Sequence, residues 1–220
     1  MKRNEIAKRI DHTQLKPNVP LEQIELICLE ARQYGFATVA IHPAYIADAV
    51  KYLEGSDVGV VAALAFPYGS LSAEMKAFEI ADALRAGATE CDFVINVGAL
   101  RSGDYDALKR EGEACRAACP NHILKAILEV CLLDDEQIAK ACGIYAACGV
   151  DFVKTSTGFM EPPTPRVVKL MHDAVAGTGV KVKAAGGIRN AADAKAMIEA
   201  GAARLGTSAG VSIVESWVEE

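Results

Sequence analysis

No apolar run in the 220-residue sequence approaches the ~20 residues that a membrane-crossing helix needs, and the opening MKRNEIAKRIDHT lacks the apolar segment of a signal peptide. A soluble, cytoplasmic protein with no membrane partner is the expectation. Basic stripes are missing too. The 23 Lys and Arg are scattered among 29 Asp and Glu for a net charge of −6, which argues against polymeric nucleic acid as a partner. The seven cysteines form no Cys-x-x-Cys pair. Cys115 and Cys119, or Cys142 and Cys148, fall instead within amphipathic helical patterns, which reads as free, buried thiols in a reducing compartment. His12, His42, His122 and His172 show neither His-x-His nor His-Glu-x-x-His spacing, so no metal site is expected. No Gly-x-Gly-x-x-Gly follows an early strand, which weakens a dinucleotide-binding reading.

What is present is a repeated unit: amphipathic helix, glycine, β-branched run. Leu21, Ile24, Cys28 and Ala31 lie at helical spacing, Gly35 stops the helix, and FATVAI follows from Phe36. The same order recurs as Gly55 before VGVVAALAF, Gly87 before TECDFVINV, Pro120 before ILKAILEVC, Gly149 before DFVKT, Gly179 before VKVKAA, and Gly201 before ARLG. With IDHTQL as the first, about eight strands alternate with helices. Asn190 with Asp193, and Asp134 with Gln137, are residue types that cap helix starts. Alternation implies a parallel sheet, and this many units in this length favours closure into a TIM (β/α)8 barrel. The expectation is one α/β domain over residues 1–220 with a short N-terminal helix.

In such a barrel alternate side chains of each strand face the helices or the interior. Cys91, Phe93, Ile95 and Val97 form an apolar, helix-facing set, leaving Glu90, Asp92, Val94 and Asn96 inward. By the same rule Lys125, Glu129, Lys154 and Lys183 point inward, against helix-facing Leu124, Leu128, Val153 and Val182. One inward lysine reads most simply as a satisfied ion pair. Three on neighbouring strands repel one another in a dry space, so at least one amine is expected to lose its proton near neutral pH and become a nucleophile able to form a Schiff base. Asp92 reads either as the salt-bridge partner of Lys154 or Lys183 or as the group that moves protons for that chemistry, and the two roles are compatible.

After the seventh and eighth strands, Ala184-Ala185-Gly186-Gly187-Ile188-Arg189-Asn190 and Gly206-Thr207-Ser208-Ala209-Gly210 place glycines before helices, where barrels commonly bind phosphate; a tight turn is the plainer alternative. The segments IDHTQLKP, KAFEIADALRAGATECDFVINVGALRSGDY, LKAILEVCLL, DFVKTSTGF, VKAAGGIR and RLGTSAGV, in this order from about residue 10 to about 214, resemble the deoxyribose-phosphate aldolase family.

The resemblance implies a class I aldolase needing neither metal nor organic cofactor, acting on small aldehydes and a sugar phosphate, and usually self-associated. It implies Lys154 as the Schiff-base lysine, Lys183 as the second lysine that lowers its pKa, and Asp92 in the proton relay. Lys125 and Asp11 would lie near the substrate. Gly186, Gly187, Gly206 and Ser208 would hold its phosphate, with Thr157 and Gly158 adjoining. Several positions depart from the family's pattern: His42 before Pro43, Ala185 and Ala209 where serine is frequent, and Met160-Glu161-Pro162-Pro163 in place of a glycine-rich loop. These leave open an aldolase with a different or unphosphorylated acceptor. A non-catalytic phosphosugar-binding barrel and a metal-dependent aldolase are further alternatives. His42 could line the pocket or simply pack.

Overall fold

Both faces of the strands are buried, as a barrel with a filled interior and an outer ring of helices requires. The computed structural model describes residues 1–219. In it β1 (Ile10–Gln14), β2 (Thr38–Ile41), β3 (Gly59–Leu64), β4 (Glu90–Val94), β5 (Ile123–Ile127), β6 (Phe152–Lys154), β7 (Lys181–Ala185) and β8 (Ala202–Thr207) are all parallel and close into one barrel in sequence order. The outward residues of these strands, among them Val39, Val60, Cys91, Phe93, Leu124, Val153, Val182 and Leu205, join one apolar core with the surrounding helices. The inward residues include Asp11, Asp92, Lys125, Lys154 and Lys183, all buried yet outside that core. Register stacks the inward set: Asp92 lies beside Lys125, Lys154 beside Lys183, Lys183 beside Arg204, and Gly206 beside Asp11.

A short helix, α1 (Arg3–Ala7), precedes the barrel. The others are α2 (Leu21–Tyr34), α3 (Ile46–Tyr52), α4 (Ala73–Arg85), α5 (Val97–Arg101), α6 (Tyr105–Ala118), α7 (Asp135–Ala147), α8 (Pro165–Ala174), α9 (Ala191–Glu199) and α10 (Gly210–Glu215). Their starts follow the sequence signals. Asp134 and Gln137 form a reciprocal capping box, and the Asn190 side chain accepts the Asp193 amide. Gly35 ends α2 in the left-handed conformation that its missing side chain permits.

Two expectations fail at strand ends. β4 stops at Val94, and the Asn96 side chain, expected inside the barrel, instead accepts the Ala99 amide and starts α5. β5 stops at Ile127, so Glu129 lies beyond the strand with a left-handed backbone. In both places local capping or turn chemistry overrides the period of two. Among the described residues no helix is long and apolar enough to cross a membrane.

Candidate active site

Asp92 is the hub of the barrel interior. Its Oδ2 accepts from Lys154 Nζ at 2.9 Å and Lys183 Nζ at 2.7 Å, while Oδ1 accepts from Lys125 Nζ at 2.7 Å. Asp11 pairs with Lys183, receives Arg204 at 2.6 Å and the Thr38 hydroxyl at 2.8 Å, and lies 3.8 Å from Lys125. Glu90 completes the set, 2.5 Å from Lys125 and 3.5 Å from Arg204. Three carboxylates thus face four cationic side chains, and the cluster is neutral only if one lysine is an amine.

Among these lysines it is the ammonium of Lys154 that is weakened. Burial brings its pKa down to about 8; the nearby charges of Lys183 and Lys125 push the same way, and Asp92 only partly opposes them. Burial works against charge at Lys125 as well, but Asp92, Asp11 and Glu90 outweigh it and hold this ammonium above the ordinary lysine range. Asp92 and Asp11 are kept well below the usual carboxylate range: burial opposes ionisation, and the surrounding cations overcome it. Lys154 is also the one of the three lysines that reaches open space.

It lines a cavity of about 410 Å³ at the C-terminal ends of the strands, where barrel sites are built. Around it stand Thr157, Gly158, Phe159, Gly186, Gly187, Gly206 and Ser208. Gly186 and Gly187 adopt positive φ of 99° and 72°. A Cβ on Gly187 would come within 2.7 Å of Pro162, so the Met160–Pro163 segment packs directly on this turn.

The comparisons now decide the family. Residues 5–215 match the model of the DeoC/LacD family aldolases. The chain belongs to that family. It is 50% identical over 216 residues to the deoxyribose-phosphate aldolase of Thermoanaerobacter sp. strain X514, covering 96% of each chain. A crystal structure of a putative deoxyribose-phosphate aldolase from Coccidioides immitis superposes with a TM-score of 0.95 at 41% identity, over 98% of this chain and 86% of that one. The tetrameric deoxyribose phosphate aldolase of Aeropyrum pernix gives a TM-score of 0.90 at 32% identity, over 98% and 92%.

Within this family frame the geometry refines what sequence suggested. Asp92, Lys154, Lys183, Lys125 and Asp11 meet in one network, and Thr157, Gly158, Gly186, Gly187, Gly206 and Ser208 share one cavity wall. At the start of α9 two backbone amides are already engaged: Asn190 receives the Asp193 amide, and the Asp193 carboxylate takes that of Arg189. Gly206 has an additional role: a Cβ there would stand 3.2 Å from Lys183 Cε and 3.0 Å from Ala185 Cβ, so its lack of a side chain makes room for the second lysine. His42 sits at the mouth, hydrogen-bonded to the Leu15 carbonyl at 2.9 Å and edge-on to Phe66, and does not line the cavity. Sequence reasoning placed Glu90 inward without giving it a role, and overlooked Arg204 in the charge network and Lys16 and Arg189 on the cavity wall. Only Glu90 carried a signal, its inward parity on β4.

Proposed function

We propose that this aldolase reversibly cleaves 2-deoxy-D-ribose 5-phosphate to D-glyceraldehyde 3-phosphate and acetaldehyde through a Schiff base on Lys154. The observation that carries this reading is a buried lysine with its pKa brought down to about 8, sharing one carboxylate with two other lysines and open to a cavity walled by glycine turns. Relatives bearing the name of this activity, at half identity over nearly the whole chain, support the substrate.

In the cleavage direction the neutral Lys154 amine attacks the sugar aldehyde, and the carbinolamine loses water to give an iminium. The iminium withdraws electrons from the bond between C2 and C3. As that bond breaks, the C3 hydroxyl passes its proton through solvent to the relay of Asp92 and Lys183 and becomes the aldehyde of glyceraldehyde 3-phosphate, leaving an enamine on Lys154. Lys183 and Asp92, acting through solvent, return a proton to the enamine carbon, and hydrolysis releases acetaldehyde. In the resting site the surrounding cations keep Asp92 ionised, free to accept a proton in this relay. The phosphate rests on Gly186, Gly187 and Ser208 beside Thr157 and Gly158, with Lys16 and Arg189 supplying positive charge. Neither metal nor organic cofactor enters this scheme. We further propose a single barrel domain over residues 1–220, working in the cytoplasm as a homo-oligomer; the tetramer of the Aeropyrum relative supports self-association.

Incubation with acetaldehyde, reduction with borohydride and peptide mapping test the mechanism. An adduct on Lys154 is expected. No adduct removes the Schiff-base reading in favour of a phosphosugar-binding barrel, and one on Lys183 reverses the two lysine roles. The packing of Pro162 on Gly187 favours one rival, an unphosphorylated acceptor. Near-equal kcat/KM on deoxyribose 5-phosphate and deoxyribose would select it.

A further inference from the structure

Glu129 combines two unfavourable conditions. Its backbone has φ of 52°, and with Ala65 it is one of two non-glycine residues at positive φ among those described. Its carboxyl-bearing side chain is buried, the residue being 2% exposed. Strained backbone of this kind persists where the surroundings impose it, commonly at functional sites.

Besides a 4.0 Å contact from the Cys131 thiol, the side chain connects to Thr157. Its carboxylate accepts the Thr157 amide at 3.3 and 3.4 Å and receives a short hydrogen bond from the Thr157 hydroxyl, whose oxygen in turn accepts the Phe159 amide at 3.2 Å. This clasp is not needed to join the two strand ends. Leu128 N already donates to Lys154 O at 2.9 Å, Val130 N to Thr155 O at 3.0 Å, and the Thr155 hydroxyl is bonded to the Ala185 backbone. Glu129 acts one step further out, where the chain leaves the barrel and passes into Gly158 at φ 90°. Thr157, Gly158 and Phe159 then form the cavity wall together with Gly186, Gly187 and Ser208.

We propose that Glu129 is a positioning residue for the phosphate end of the substrate, clasping Thr157 so that the Thr157–Phe159 segment is preshaped for the anion. The proposal rests on the deoxyribose 5-phosphate reading above. Placing a carboxylate this close to an anion subsite is unfavourable unless its charge is taken up elsewhere. Burial raises the carboxyl's pKa, the two Thr157 donors take up part of its charge, and the cavity lining does not include Glu129. A hydrogen-bonded carboxylate fixes the segment without adding a residue to the wall.

The test uses Glu129→Ala, Glu129→Gln and Thr157→Val in the full chain, with kcat and KM on deoxyribose 5-phosphate and on 2-deoxyribose, and the rate of acetaldehyde adduct formation. In Glu129→Ala, KM for the phosphorylated sugar should rise roughly tenfold or more, as expected for losing a hydrogen bond to a charged group. The loss in kcat/KM on the phosphorylated sugar should exceed that on deoxyribose by a similar factor. Glu129→Gln keeps an oxygen acceptor and should recover most of the lost affinity. Thr157→Val, which leaves the left-handed residue untouched, should reproduce the Glu129→Ala phenotype, and the double variant should be no worse than either single one. Equal losses on both sugars, or an unchanged KM in either single variant, would overturn the proposal. If the unaltered protein forms no acetaldehyde adduct, the aldolase reading fails first and this one with it; an intact adduct with unchanged KM sinks the Glu129 role alone.

Discussion

Two buried lysines on either side of β4 have opposite fates. Lys76, on α4, is completely enclosed, yet its ammonium donates to Glu111 at 2.5 Å and to the Val94 carbonyl at 2.8 Å. Glu111 in turn accepts the Tyr145 hydroxyl at 2.6 Å and the Asn96 amide at 3.2 Å. Among the described residues, no other lysine or arginine is recorded on the Glu111 carboxylate that pairs with Lys76. Lys154 is 3% exposed but holds only one oxygen of Asp92, which it shares with Lys183 while Lys125 takes the other. Burial alone is therefore not enough to prepare a lysine for nucleophilic attack: it is the largest effect lowering the Lys154 pKa, but at Lys125 three carboxylates outweigh it. What differs is the set of counter-ions: Glu111 serves Lys76 in a strut between α4, α6 and β4, whereas Lys154 has only an oxygen of Asp92 that Lys183 also uses.

The strongest way to break this contrast is to remove each lysine. Lys154→Met should lower turnover by roughly 10⁴-fold or more and abolish the borohydride adduct, since a covalent nucleophile has no substitute. Lys76→Met should leave adduct formation in the folded protein intact but destabilise it by about 3–5 kcal/mol, because Glu111 is left buried and unpaired. Urea unfolding reads this directly. Loss of the adduct with unchanged stability would show that Lys76 belongs to the chemistry after all.

A smaller effect should follow from easing the crowding at Asp92. Lys183→Leu removes a positive neighbour, so the Lys154 pKa should rise from about 8. The reactive form is the neutral amine, which predominates above the pKa, so the rate of adduct formation should begin its rise at higher pH. Below the pKa, each unit of increase lowers the reactive fraction about tenfold. A pH profile in the same place as before would refute the electrostatic account. The smallest effect belongs to a third lysine in a third setting. Lys16 is exposed on the cavity rim, where ionic contacts are worth about 0.2–1 kcal/mol. Lys16→Ala should raise KM for deoxyribose 5-phosphate by only about two- to fivefold, and added salt should erase the difference.

The contrast also marks what the sequence could disclose. Lys125, Lys154, Lys183 and Asp92 were legible because side chains alternate along a regular strand, so an ionisable residue among helix-facing valines and leucines points inward. Lys76 was not. On an amphipathic helix a lysine reads as solvated unless its buried partner, 35 positions away at Glu111, is already known. Arg204 was hidden in the short ARLG segment, where its pairing with Asp11 depends on the closure of β8 against β1. Lys16 and Arg189 lie on loops, which have no period to read. Asn96 and Glu129 misled because each sits just past the end of its strand, where the alternation no longer holds.

Gly206 gives this arrangement a practical boundary. An exposed side chain on the cavity wall, such as Phe159, offers freedom to anyone reshaping the pocket for other acceptors. Position 206 does not, since a single added methyl group would press on the side chain of Lys183 at 3.2 Å. A redesign that reaches it would be retuning the pH response of the catalyst while intending only to change its diet.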